Sequence, residues 1–385
     1  MTWVDWMSLA VLALCAATLF EVHLGARRLR YLRDLEAPGA DTTPLRVSVV
    51  VPALNEADTL EPALRSLLAS EARPEVVVVD DRSTDATPQV LARLQAEQPR
   101  LRVLRVDRLP EGWLGKNHAL QQGAAHASGE WLLFTDADVV FEPSAIARAA
   151  HHCRHAGLDH LAVLPDVPVR DPLLASLMLG FQTLFLARFR PWRVGGSARQ
   201  APVGVGAFNM VRASTYRAAG GHAALPLAVI DDMALACVLH DHGARSGVMA
   251  GAEMVRVAWY ADAGAMFRGL EKNLFAAFDY QWWRALSAGA LVLMLQAWPY
   301  LGVLVTNGPA RVFNLVSVLL WVAASAEMVR ETGYPRRCLL YLPLSGLMTV
   351  AMWWRACWLT WRRGGVVWRG THYPLDTLRR GHRPL

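Results

Sequence analysis

VVVVDD (76–81) and WLLFTDAD (131–138) decide how this chain is read. Each is a short, wholly apolar run that ends in carboxylates, Asp80-Asp81 in the first and Asp136-Ala137-Asp138 in the second. Unbroken apolar runs of this length suit strands of a parallel sheet covered on both faces. Acids closing two such strands fall where open α/β sheets bind ligands, beyond the carboxyl ends. Residues two apart in a strand share a face, so Asp136 and Asp138 are expected to point into one site. Hard oxygen donors of this kind suit Mg²⁺ or Mn²⁺ carrying substrate phosphates. A lone DxD also occurs in helix caps and turns, but two acidic clusters at equivalent strand ends favour a ligand site.

Outward from these runs the same rhythm continues. VSVVV (47–51), LRVLRV (101–106) and LAVL (161–164) read as further strands, and EADTLEPALRSLLAS, TDATPQVLARLQ and NHALQQGAAHA as the helices between them. Strands alternating with helices predict an α/β, Rossmann-like domain with a mostly parallel sheet. Residues 34–44, DLEAPGADTTP, read as a linker into the first strand.

The flanks are apolar. WMSLAVLALCAATLF (6–20) is followed by Arg27, Arg28 and Arg30, the reverse of the charge order in a signal peptide, and predicts a retained anchor. Residues 285–306, 312–329 and 338–354 are each about long enough to cross a bilayer core of roughly 30 Å. The arginines after the first segment place the α/β domain on the cytoplasmic side. Four full crossings would then leave the tail arginines (Arg355, Arg362, Arg363, Arg369) outside, so one segment, 338–354 or the proline-bearing 285–306, is expected not to be a simple span. PLLASLMLGFQTLFLARF (172–189) fits either a buried helix or one lying in the membrane interface.

The net charge of +6 gathers at these flanks, as expected beside anionic lipid, and forms no stripe on a soluble helix that would suit nucleic acid. Five scattered cysteines without a CxxC predict reduced thiols. Among 39 basic residues only Lys116 and Lys272 are lysine. In so arginine-biased a chain, a lysine marks a place where a compact, flexible ammonium is needed. His151-His152-Cys153-Arg154-His155 fans around a helix surface and is not expected to bind metal; His240-Asp241-His242 reads as a solvated helix end.

Taken in order, PALNEA (52–57), VVVVDDRSTDAT (76–87), GWLGKNHAL (112–120), FTDADV (134–139) and VIDDMAL (229–235) resemble glycosyltransferase family 2, inverting enzymes with a GT-A fold. The resemblance spans about residues 45–275. GWLGKN, the IDD motif and the C-terminal spans are most similar to the branch that glycosylates membrane lipids, such as carotenoid and hopanoid-associated transferases. The resemblance implies that Pro52, Asn55 and Glu56 line the nucleotide pocket and that Asp81 or Asp80 accepts hydrogen bonds from the base. It puts Lys116 near the nucleotide, makes Asp136 and Asp138 the metal-binding DxD with Asp138 the direct ligand, and makes Asp232, beside Asp231, the catalytic base. Ser83 and Asp85 are expected to cap the next helix. The family's QxxRW is not intact: Arg268 to Asn273, with Lys272 placed to hold the leaving diphosphate, is the preferred counterpart over Gln281-Trp282-Trp283-Arg284. VGVGAFNMVR (203–212) resembles the acceptor-side loop, its glycines allowing close approach of substrate.

The expected organisation is an anchor at 1–28, a GT-A domain at 45–265, an interfacial segment at 266–285, transmembrane helices at 286–360 and a basic cytoplasmic tail at 361–385. The expected activity is metal-dependent (Mg²⁺ or Mn²⁺) transfer of one sugar from a nucleotide sugar, UDP-linked by default, to a lipid hydroxyl or carboxyl at the inner membrane. A processive polysaccharide synthase and a silent partner of another membrane enzyme are the alternatives.

Overall fold

A computed structural model describes residues 1–39, 45–195, 202–368 and 370–384; Arg369 and part of the 34–44 linker lie outside the described residues. The chain divides into two compact units. One contains Leu29–Val167, Arg193–Ala258 and Val367–Leu385, and the other Met1–Arg28, Pro168–Trp192 and Trp259–Val366.

The first unit is built on an eight-stranded sheet. In chain order its strands are β1 (Val47–Ala53), β2 (Glu75–Asp81), β3 (Leu101–Val106), β4 (Trp131–Phe134), β5 (Val139–Phe141), β6 (His160–Asp166), β7 (Asn209–Arg212) and β8 (Ser246–Val257). Across the sheet the order is β3-β2-β1-β4-β7-β6-β8-β5. The half from β3 to β4 is parallel, as the valine runs predict. Beyond β4 the pairing turns mixed: β7 is antiparallel to both β4 and β6, β8 is parallel to β6, and β5 closes the edge antiparallel to β8. All seven residues of β1 are buried, which is why the run is apolar on both faces. Pro52 fits there because β1 pairs with β4 only as far as Val50, so no rung on that side needs the missing N–H. One face of the sheet packs on Leu120, Ala124, Tyr216, Leu235 and Leu239, whose clustering sets the lysine-bearing helix Gly115–His126 and the acid-bearing helix Asp231–Asp241 over β4.

Asp136 and Asp138 do not share a strand face. β4 ends at Phe134, and both acids lie in the turn that leads to β5. Thr135 explains the early stop: its hydroxyl donates to the Ala207 carbonyl at 2.8 Å, while the neighbouring strand turns away after Asn209 pairs with Phe134.

His160 is buried between β7 and β8, with Nε2 2.5 Å from Asn209 Oδ1 and Nδ1 3.1 Å from Ser246 Oγ. Burial holds this imidazole at about 4, below the ordinary 6.5, against the opposing pull of its bond to Asn209. Buried His222 is likewise held down by burial, and then by the Lys116 charge, to about 3. Between the folded and unfolded values the unfolded chain binds more protons, so stability rises with pH in that window. The denaturant midpoint of this unit is expected to be highest above about 6.5 and to fall as the pH drops toward 4. A His160→Gln chain should show a shallower fall; an identical slope would remove His160 from the account.

The second unit is helical. Among the described residues, four helices are long and apolar enough to cross a membrane: Trp3–Ala26, Pro172–Arg193, Trp282–Val305 and Gly308–Thr332. The first packs along the last through Val11, Cys15, Leu19 and Trp321, with Asp5 accepting the Ala310 N–H at 3.0 Å and Asn314 donating to Ser8 at 3.1 Å. Trp282–Val305 passes through one π-helical turn at Leu293–Ala297. Pro299 has no N–H to give Leu295, four residues back, and the freed carbonyl accepts the Trp321 indole at 2.8 Å. Relative to the sequence expectation, 172–189 joins the span-like helices, whereas 338–354 is divided between a 3-10 stretch, Arg336–Tyr341, and the helix Leu342–Arg362. Arg355 and Arg363 from that region pair with Glu271 instead of facing apolar surroundings.

Candidate active site

The loop after β1 and the loop after β2 are clamped together by side chains. Asn55 adopts a positive φ of 55°, which asparagine tolerates. Its Oδ1 accepts the N–H groups of Thr84 at 2.8 Å and Asp85 at 3.3 Å. In return the N–H groups of Asn55, Glu56 and Ala57 donate to Ser83 Oγ, Thr87 Oγ1 and Asp85 Oδ2. Thus PALNEA and DDRSTDAT meet in space. Of the two expected caps, Asp85 does bond the first helical N–H, of Thr87 at 2.9 Å, while Ser83 serves the Asn55 loop.

Asp80 and Asp81 are both buried at the end of β2. Asp80 accepts the Ser83 N–H at 3.1 Å; Asp81 takes a two-pronged bond from Arg82, at 2.8 and 3.0 Å. A Cβ on Gly115 would meet Asp81 Oδ2 at 2.3 Å, so this position admits only glycine while the carboxylate stays in place.

Lys116 follows that glycine and is the centre of the site. Its Nζ lies 2.9 Å from Asp136 Oδ1 and 3.2 Å from Asp231 Oδ1. Burial alone would push this ammonium down; the charges of Asp136, Asp231 and Asp232 outweigh burial and hold it above its ordinary range. Lys116 is therefore no surface lysine. Its helix is fixed to the segment before Asp231 by Asn117, whose Nδ2 donates to the carbonyls of Leu225 and Ala228 at 2.8 and 3.0 Å. Asp232 accepts the Met233 N–H at 2.8 Å. Burial and then the charge of Asp231 push its carboxyl upward, a shift that Lys116 opposes.

Lys116, Asp136, Asp231 and Asp232 line one pocket, together with Leu120, Phe134, Thr135, Gly206, Asn209 and His222. Acids of two separate motifs and the lysine of a third thus converge. Asp138 lies two residues on; burial and then the charges of Asp136 and Glu56 raise its carboxyl to about 6. Arg268 and Lys272 sit on the helix Ala263–Ala277 of the helical unit. Sequence reasoning missed Asn209 and His222. Asn209 lies inside the quoted VGVGAFNMVR, but a buried asparagine or histidine carries no local pattern that marks it as pocket-lining.

Gly204 and Gly206 do make a close approach, though to the protein's own backbone and acids. A Cβ on Gly204 would stand 1.9 Å from the Asp232 carbonyl oxygen, and one on Gly206 2.8 Å from Asp136 Oδ2. Gly204→Ala must therefore displace the turn that carries Asp231 and Asp232. Overpacking of this kind costs about 1–3 kcal/mol, and the expected result is a lowered melting temperature with a larger proportional loss of activity. Wild-type activity at a lowered melting temperature would show that the turn need not be held.

A two-loop clamp at parallel strand ends, an acidic turn after the fourth strand and an acid pair opening a helix define a GT-A transferase core. Residues 48–216 match the glycosyl transferase family 2 domain. The fold agrees with that of a solved mannosyltransferase from Pyrobaculum calidifontis in complex with GDP-Man and Mn²⁺: TM-score 0.55, 19% identity, 93% of this chain and 98% of that one covered. The succinoglycan biosynthesis protein ExoO of Rhizobium meliloti is 37% identical over 32% of this chain, which spans only 34% of that protein. The 4,4'-diaponeurosporenoate glycosyltransferase of Staphylococcus aureus is 21% identical over 91% of this chain and 94% of its own length.

Proposed function

We propose that this chain is a membrane-bound, inverting glycosyltransferase that moves one sugar from a nucleotide-sugar donor to a hydroxyl or carboxyl of an isoprenoid-type lipid. The carrying observation is the single pocket in which Lys116 joins Asp136 and Asp231 beside Asp232. The lipid acceptor is supported by the near full-length similarity to a transferase named for a carotenoid acid and by four helices suited to a bilayer. The catalytic unit is assigned to the cytoplasmic side on the arginines at 27–33.

The donor's nucleoside belongs at the clamped β1 and β2 ends, where Pro52, Asn55 and Glu56 shape the loop and Asp80 or Asp81 accepts from the base. Uracil is the default, with guanine the alternative raised by the Pyrobaculum enzyme's ligand. Asp136 and Asp138 fit a divalent cation. Magnesium is commonly held by one or two carboxylates plus substrate phosphates, not by an all-protein cage. Among the described residues no three or more His, Cys, Asp or Glu form such a cage, and the Asp138 carboxyl is raised by burial and then by the charges of Asp136 and Glu56, which a cation would offset. When bound, Mg²⁺ or Mn²⁺ would neutralise charge on the departing diphosphate.

Lys116 keeps Asp136 and Asp231 in place and adds a fixed positive charge beside the pocket. Asp232 takes the proton of an acceptor hydroxyl as its oxygen attacks the anomeric carbon; the nucleoside diphosphate leaves from the opposite face, inverting that centre. A carboxylate acceptor arrives already ionised and makes no such demand.

The test is nucleotide release by detergent-solubilised full-length protein, screened against UDP- and GDP-sugars with Mn²⁺ or Mg²⁺, with and without membrane lipid, and with Asp138→Ala as control. Lipid-stimulated release matched by a lipid carrying one sugar is the expected result. Absence of turnover with every donor would overturn the proposal. A second reading, a polysaccharide synthase, is favoured by the similarity to a succinoglycan biosynthesis protein; products longer than one or two sugars would select it.

A further inference from the structure

The buried stripe of the membrane-length helix Trp282–Val305 is Ala285, Gly289, Val292, Gln296, Pro299 and Gly302. In that row Gln296 alone carries a side chain that can hydrogen-bond. It stands in the π-helical turn Leu293–Ala297, and such turns recur at functional sites. Gln296 is only 4% exposed, and among the described residues its Oε1 has no hydrogen-bond partner.

Neighbouring helices of the same unit leave space around this amide. A Cβ on Gly346, in the helix Leu342–Arg362, would meet the Gln296 Cβ at 2.7 Å. One on Gly180, in the helix Pro172–Phe189, would stand 3.8 Å from Oε1. Gln296, Gly180, Thr183, Tyr300, Ser325 and Ser345 line a cavity with room for a single water-sized group. Two of its hydroxyls are committed as donors to their own helices. Thr183 donates to the Leu179 carbonyl at 2.8 Å and Ser345 to the Leu342 carbonyl at 2.9 Å. Neither brings a proton to Gln296. Tyr300 is half-buried and Leu301 beside it is exposed, so one edge of the lining reaches the apolar outer surface of the unit.

In a bilayer core an unpaired polar group finds no bulk water, so protein, one trapped water or a lipid must satisfy it. A packing position in this row would favour an apolar side chain, since polar groups within membrane helices are costly and mark function. A hydroxyl suits either end of an amide, because it both donates and accepts. We propose that this cavity is a hydroxyl-binding site for an isoprenoid-type lipid. Gln296 holds the hydroxyl, and the chain lies along the apolar outer face beside Tyr300. The class of ligand rests on the lipid reading given above. Binding is measured without sugar transfer, so the two can fail separately.

The test is equilibrium binding of radiolabelled farnesol, an isoprenoid alcohol, and of farnesene, its hydrocarbon counterpart, to the detergent-solubilised full-length protein. Corrected for partition into the micelle, wild type should bind farnesol roughly three- to tenfold more tightly, the worth of one hydrogen bond. Gln296→Met conserves volume and removes the amide; it should erase that preference and leave farnesene binding unchanged. Its melting temperature should equal or exceed that of wild type, since an unpaired buried oxygen is removed. Gly180→Ala, which narrows the cavity without harming helix propensity, should weaken farnesol binding with Gln296 intact. A Gln296→Met chain that keeps the farnesol preference would overturn the proposal and leave the cavity to a trapped water. Equal wild-type affinity for the two probes would overturn it as well. Farnesol binding that depends on Gln296, in a protein whose nucleotide release no lipid stimulates, would support this site and overturn only the acceptor reading.

Discussion

Asp232→Asn is expected to lower turnover on a hydroxyl acceptor by about 10²–10⁴, the usual worth of a positioned general base, while nucleotide affinity stays within a few-fold of wild type. The reason lies in how the pair Asp231–Asp232 is divided. Asp231 is paired with Lys116 at 3.2 Å. Among the described residues Asp232 accepts the Met233 N–H on one oxygen, and it lines the pocket. Its carboxyl is pushed upward by burial and by Asp231, which makes it a better proton acceptor than an exposed aspartate. Asparagine matches the shape and cannot take the proton. Single-turnover measurement on enzyme saturated with donor isolates the step. Full activity with a hydroxyl acceptor would remove Asp232 from the role, whereas activity kept only on a carboxylate acceptor would identify the acceptor's chemistry.

Asp138→Ala is expected to abolish turnover, and to remove the Mn²⁺ dependence of nucleotide binding, without lowering the melting temperature. The carboxyl is half-buried and raised to about 6 by burial, Asp136 and Glu56, so in its ionised form it is a cost to the empty protein. A group retained at such a cost is the pattern of a functional acid, not of a packing one. Calorimetric titration of UDP or GDP at several Mn²⁺ concentrations, beside a thermal scan, checks both halves. Metal-dependent binding that survives the substitution would move the cation site away from Asp138.

Much of the site could be read before the fold was seen because its chemistry is local. A valine run that ends in two acids has few places to go, and β2 ends at Asp81 as VVVVDD predicts. The scarcity of lysine pointed to Lys116, and that residue joins two of the three acidic motifs. The failures came where a partner distant in sequence decides the outcome. Asp136 and Asp138 sit in a turn because Thr135 bonds Ala207, and Ser83 serves Asn55 because two loops meet. Nothing near residue 203 announces that Gly204 must leave room for Asp232.

Periodicity and strand-end acids, which depend on neighbours a few residues apart, were enough to establish an α/β core, its acidic motifs and its apolar flanks. Which carboxylate is tied to Lys116, which is left facing the pocket, and which loop each glycine relieves were decided only when β4, the lysine helix and the Asp231 helix packed together. Contacts across a hundred residues are set by the closing of the core, and the local text holds no record of them.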